Sequence, residues 1–177
     1  MTKEQLVQKA LEVALNRKTH YIWGGCGQSL NTAQKIHFVK DYDWGKKHSK
    51  EIMAQSGNTR AYDCVCFVKS LVFWGGPDQL KYDAKTDYTI QQLKDMCKAS
   101  SDFSNVEIGE IVFRGTSHVG IVVDTFDNGG IMVVEANNSD ESVYGLNGVY
   151  RSTFNCKIEG LPQRSWSQHG KIPSITY

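Results

Sequence analysis

The chain has 177 residues, with 20 Lys and Arg against 19 Asp and Glu, so its formal net charge is only +1. That balance excludes a broad basic face for nucleic acid and an acidic tail. Hydrophobic residues at 40% and charged residues at 22% fit one soluble domain, 1–177, with an adequate core.

Met1 to Lys18 carries Lys3, Glu4, Glu12 and Lys18 without a continuous apolar run. It is read as neither a signal peptide nor a membrane-inserting segment. Within it, Thr2 to Asn16 has helical spacing: Leu6, Ala10, Val13 and Ala14 share one side. Thr2 followed by Gln5 has the form of a capping box. Tyr21-Ile22-Trp23-Gly24-Gly25-Cys26-Gly27-Gln28 then runs two aromatics into a glycine-rich loop, as where a backbone must approach something closely. It lacks the Gly-Lys-Ser/Thr ending of a phosphate loop. The charge-rich stretch near 29–60 is expected to be a surface insertion walling one side of a cleft, with a short helix at Lys50 to Gln55.

Tyr62-Asp63-Cys64 opens the most apolar helix. Val65, Val68, Leu71 and Val72 share a face, and the helix ends at Gly75-Gly76-Pro77. Asp63 is its natural N-cap, which puts Cys64 at the first helical position. Free backbone N–H groups and the helix dipole there favour a thiolate, so a lowered Cys64 pKa is expected. Cys66 lies about 200° further round the helix and is expected in the core. A further helix is expected at Thr89 to Lys98, with Ile90, Leu93, Met96 and Cys97 inward.

From Val106 the period changes to two. Strands are expected at Glu110 to Arg114, His118 to Asp124 and Ile131 to Ala136, with a hairpin turn at Phe126 to Gly130. Val143 to Phe154 adds one or two more strands. Gln163 to Tyr177 reads as irregular and anchored by Trp166. Helices followed by antiparallel strands make an α+β fold.

The five cysteines, Cys26, Cys64, Cys66, Cys97 and Cys156, are odd in number and irregularly spaced, as in a reduced cytosolic chain rather than a disulfide framework. Cys64-x-Cys66 lacks the gap of a zinc knuckle and has no second Cys/His pair, so no metal is expected.

A nucleophile needs a base, and a base needs an orienting partner. His118 opens a strand, where its ring can overhang a groove. Glu135 and Asn137 lie two residues apart on one face of the next strand, and the hairpin brings that face beside His118. Either Glu135 or Asn137 can hold the far ring nitrogen.

Tyr21-Ile22-Trp23-Gly24-Gly25, Asp63-Cys64-x-x-Phe67-Val68, Gly109-Glu110-Ile111-Val112-Phe113 and His118-Val119-Gly120-Ile121 together resemble the NlpC-type papain-like cell-wall cysteine peptidases. The resemblance runs from the first helix to Ala136. The gap between Gly25 and Asp63 and the ending around Trp166 look like phage endolysin members. The resemblance implies a papain-like α+β fold and cleavage of peptidoglycan stem peptides. Cys64 falls on the nucleophile, His118 on the base and Glu135 on the third member. Tyr21, Trp23, Asp63 and Asn137 fall at or beside substrate-lining positions. The family usually has small residues after the nucleophile, where this chain has Val65 and Cys66. Its third member is most often His, whereas Glu135-x-Asn137 resembles the related CHAP amidases and peptidases.

The resulting expectation is a peptidoglycan hydrolase without cofactor, metal or nucleic-acid partner. It is expected to be a monomer, made in a bacterial cytoplasm and acting on the wall after release. The γ-D-glutamyl–diamino acid bond is the first candidate and the N-acetylmuramoyl–L-alanine amide the second. A non-catalytic wall-binding or effector module, or a deamidating toxin, are the rivals from other classes.

Overall fold

The computed structural model describes residues 1–177 and has a mixed α+β architecture. Helix α1 (Lys3–Asn16) starts at the capping box expected of it, with Thr2 and Gln5 each satisfying the other's backbone N–H. It buries Leu6, Val7, Ala10 and Val13. Three short strands that hydrophobic periodicity did not reveal follow: β1 (Thr19–Tyr21), β2 (Cys26–Ser29) and β3 (Arg60–Tyr62). They form a small sheet in the order β1-β3-β2, with β1 parallel and β2 antiparallel to β3. Gly25 lies hard against β3: a Cβ there would sit 2.7 Å from the Ala61 carbonyl carbon. That contact is the close approach expected of the glycine-rich loop.

The 29–60 stretch is more ordered than its charge suggested. It folds into α2 (Thr32–Asp41), α3 (Asp43–Lys47) and α4 (Ser49–Ala54). These close over a core of their own, in which Phe38 and Ile52 meet Ile22, Leu30 and Ala61. Helix α5 (Cys64–Val72) begins at Asp63, as expected, and α6 (Ile90–Cys97) begins at a second capping box, Thr89 with Gln92.

The main sheet contains β4 (Ile111–Arg114), β5 (His118–Thr125), β6 (Ile131–Asp140), β7 (Leu146–Phe154) and β8 (Gln168–Gly170). A short helix, α7 (Glu141–Tyr144), joins β6 to β7. The order is β7-β6-β5-β4-β8, and all pairs are antiparallel. β8 corrects the reading of 163–177 as wholly irregular: three polar or small residues pair with β4 without an apolar run.

On one face of this sheet Val119, Ile121, Val134 and Ala136 pack with Leu6, Ala10, Phe67 and Leu71 of α1 and α5. Each fully buried Val, Leu, Ile or Phe among them contributes about 1.5–3 kcal/mol. On the other face Val112, Val122, Ile131 and Val133 pack under Trp166. No helix is long and apolar enough to cross a membrane.

The expectation of uniformly reduced thiols is corrected at one pair. Cys66 is core-facing, as its angle on the helix requires, but it forms a disulfide with Cys26, with a Cα–Cα distance of 4.6 Å. The pairing joins residues 40 apart, through the glycine-rich loop, and no local spacing signals it. Cys64, Cys97 and Cys156 are free thiols.

Candidate active site

Cys64 occupies the first position of α5 because Asp63 fixes the helix start. Asp63 Oδ1 accepts from the Cys66 N–H at 2.7 Å, and its Oδ2 accepts from the Gly24 N–H at 2.9 Å. One carboxylate therefore caps the helix and ties the glycine-rich loop to it. Asp63 is buried, and burial pushes its pKa up while those backbone donors pull it down. Both Asp63 oxygens, at a position expected to line the substrate site, are thus engaged by backbone N–H groups.

The Cys64 thiol departs from expectation too. It is only 6% exposed, and its pKa is pushed up to about 12. Burial is the main cause, and the neighbouring Asp63 charge adds to it. Backbone N–H groups of Val65, Cys64 and Val119 pull the other way and lose. The helix-start effect is present, but desolvation is larger. Cys64 rests as a neutral thiol.

The Val119 N–H that points at the Cys64 sulfur belongs to the residue after His118. The start of α5 and the start of β5 therefore meet. No hydrogen bond joins the sulfur to the imidazole. The His118 ring is buried, its Nε2 bonds to Glu135 Oε2, and its Nδ1 has no hydrogen-bond partner within the protein. Trp166 stacks on the ring, with centroids 5.5 Å apart and planes 12° from parallel.

Glu135 is completely buried and is the residue that orients His118. Burial alone would raise its pKa. The His118 hydrogen bond and the charges of His118 and Arg164 outweigh burial and bring it down to about 2. Asn137, also expected to line the substrate site, supports Glu135: its Nδ2 donates to Glu135 Oε2 at 3.2 Å. Its Oδ1 accepts from the N–H groups of Asn138 and Ser139. Arg164 Nε donates to Glu135 Oε1 at 2.9 Å. Sequence reasoning missed Arg164, because it lies in a stretch without periodicity and meets Glu135 only through the fold.

Tyr21 approaches Cys64 from the end of β1. Tyr21 is half-buried, and its pKa is raised, first by burial and then by the facing Cys64 and Asp63 charges. Its ring meets Trp44 of α3 edge-on, 5.9 Å between centroids, so the insertion packs against this side. Trp23 is 56% exposed, a large apolar surface open to solvent beside the Gly24 that Asp63 holds. Surface hollows open elsewhere, for example between α1 and the loop at 75–79.

A second buried histidine pairs with a carboxylate, His169 with Glu110, but its other nitrogen is held by the Asp102 carbonyl at 2.7 Å. His118 alone of the two keeps a ring nitrogen free. No group of three or more His, Cys, Asp or Glu side chains has the arrangement of a metal site. Compared with protein-family models, curated proteins and solved structures, the chain matches none.

Proposed function

We propose that the protein is a cysteine amide hydrolase of papain-like, NlpC-type arrangement, acting on peptidoglycan stem peptides. The observation that carries the chemistry is the meeting of the α5 start with the β5 start. The Cys64 sulfur adjoins the backbone of Val119, the residue after His118, and the Nε2 of His118 is held by a buried carboxylate. The wall substrate rests on the resemblance of the Tyr21–Gly25, Asp63–Val68 and His118–Ile121 motifs to cell-wall peptidases.

Because Cys64 rests protonated, attack on a peptide carbonyl requires His118 to take the thiol proton. Catalytic contacts of this kind commonly tighten only with substrate bound. Glu135 then faces an imidazolium and stabilises it. The Cys64 backbone N–H at the helix start, helped by the Tyr21 hydroxyl, holds the oxyanion. His118 passes its proton to the leaving amine, and water releases the acyl group from Cys64. The exposed Trp23 offers a flat apolar surface for the substrate beside this centre.

The γ-D-glutamyl–diamino acid bond is the first assignment. The N-acetylmuramoyl–L-alanine amide is the second, favoured by the Glu135–Asn137 contact, whose residues resemble the CHAP pattern. Mass spectrometry of fragments from purified peptidoglycan separates them. New amino ends on the diamino acid support the first, and new ends on alanine support the second. Intact sacculi after prolonged incubation with folded, thiol-free-of-adduct protein would sink both.

A further inference from the structure

After β7 the chain turns back and crosses the outer face of the main sheet as a strap. It is tied to β7 at one end, where the Arg164 N–H donates to the Thr153 carbonyl at 2.7 Å. It is tied to β4 at the other, where the Ser167 N–H donates to the Phe113 carbonyl at 2.8 Å. Between these ties it passes β6 and β5, the strands that carry Glu135 and His118. Trp166 lies flat on His118 because Gly120 leaves room: a Cβ at 120 would stand 3.3 Å from Trp166 Cη2 and 2.5 Å from Val133 Cγ1.

Arg164 is fixed from both sides. Its Nε reaches Glu135 Oε1 at 2.9 Å. Its Nη1 reaches Asp140 Oδ1 at 3.2 Å, and its Nη2 bonds to Asp140 Oδ2 and reaches the Tyr150 hydroxyl at 3.2 Å. The Tyr150 hydroxyl in turn donates to Asp140 Oδ2 at 2.6 Å. A planar guanidinium with fork geometry suits this double engagement, and an ammonium does not. Glu135 thus divides its oxygens: one for Arg164, the other for His118 and Asn137.

Resting on the reading of His118 as the base, we propose that Arg164 is a positioning residue. Acting through Glu135, it fixes the His118 ring and offsets the pull of the Glu135 charge, so that the imidazole stays free to accept the Cys64 proton. An unopposed buried carboxylate beside His118 favours the imidazolium, which cannot act as a base. With Arg164 on its other oxygen, Glu135 can orient the ring without locking a proton onto it. The ring itself bonds to Glu135, to which Arg164 from the strap is tied, with Asp140 and Tyr150 behind Arg164; Cys64 and Asp63 stand at the start of α5, beside the Val119 backbone.

The test follows the His118 imidazole by NMR titration of protein labelled in its five histidines, assigned with His118→Gln. In Arg164→Gln the His118 midpoint rises by about one pH unit, and Arg164→Lys, which keeps the charge, returns most of that shift. The kcat of wall cleavage falls about tenfold in Arg164→Gln with KM unchanged, and its acid limb moves to higher pH. A midpoint that stays put in Arg164→Gln, even with a lowered melting temperature, overturns the proposal and leaves Arg164 a structural tie. If Arg164→Gln does not fold, Asp140→Asn decides. It leaves the Arg164 charge less opposed, so the His118 midpoint falls; an unchanged or raised midpoint overturns the proposal. The titration needs no substrate. A protein that shows these shifts but cleaves no peptidoglycan keeps the positioning role and loses the proposed function.

Discussion

Replacing Glu135 by Gln removes a fully buried charge while keeping the side chain's size and one acceptor oxygen. In the native protein this carboxyl is held at about 2, against an ordinary 4.5, because its bond to His118 and the charges of His118 and Arg164 outweigh the burial that would raise it. A folded-state pKa below the unfolded one means stabilisation that is complete above pH 4.5 and lost as pH falls from there toward 2. At neutral pH the change also takes a charged acceptor from Arg164 and His118, and hydrogen bonds to a charged group contribute about 1.5–3 kcal/mol. Urea unfolding of Glu135→Gln at neutral pH is therefore expected to show a loss of that order. Its stability should also vary less than that of the wild type as pH falls through the acidic range. Removing the stabiliser of the imidazolium is expected to lower kcat by about 10²–10⁴-fold. A variant as stable as wild type at neutral pH, with the same acid profile, would refute the reasoning, because Glu135 would then not hold His118.

Reducing the Cys26–Cys66 link frees a chain segment spanning 40 positions. Loop entropy puts the loss near 4 kcal/mol, and a urea midpoint that does not move with reductant contradicts the pairing. The Cys64 thiol, pushed up to about 12, is expected to be alkylated at a rate that climbs with pH into the alkaline range. Rapid labelling at mildly acidic pH would mean a preformed thiolate instead. Phe38→Ala in the small core of α2 and α4 is expected to cost about 3–5 kcal/mol in chemical unfolding. A loss of only a few tenths would return the 29–60 segment to the status of a surface appendage.

What was legible in the sequence was local. Thr2 with Gln5, and Asp63 before an apolar helix, are signals contained within one turn, and both helices start where those residues say. His118, Glu135 and Asn137 were readable as a group because a tight hairpin and a two-residue period bring them together without reference to the rest of the chain. β1, β2 and β3 are three or four residues each and draw their stability from non-local pairing, so periodicity had nothing to register. The Cys26–Cys66 link and the Glu135–Arg164 pair are likewise tertiary events. The raised Cys64 pKa has the same origin. The helix start is visible in the sequence, whereas the desolvation that overrides it depends on what packs around the sulfur. The contacts of Asn137 and Asp63 turn inward, to Glu135 and to backbone N–H groups, which residue type alone does not reveal.

If Cys64 forms and releases an acyl group with His118 as its base, wall cleavage stops when the thiol is removed. The most direct measurement is the rate at which new amino groups appear when purified peptidoglycan is incubated with wild-type protein and with Cys64→Ala, both checked for folding. Steady release by the wild type and none above background by the variant is the expected result. Equal release by the two proteins would contradict it.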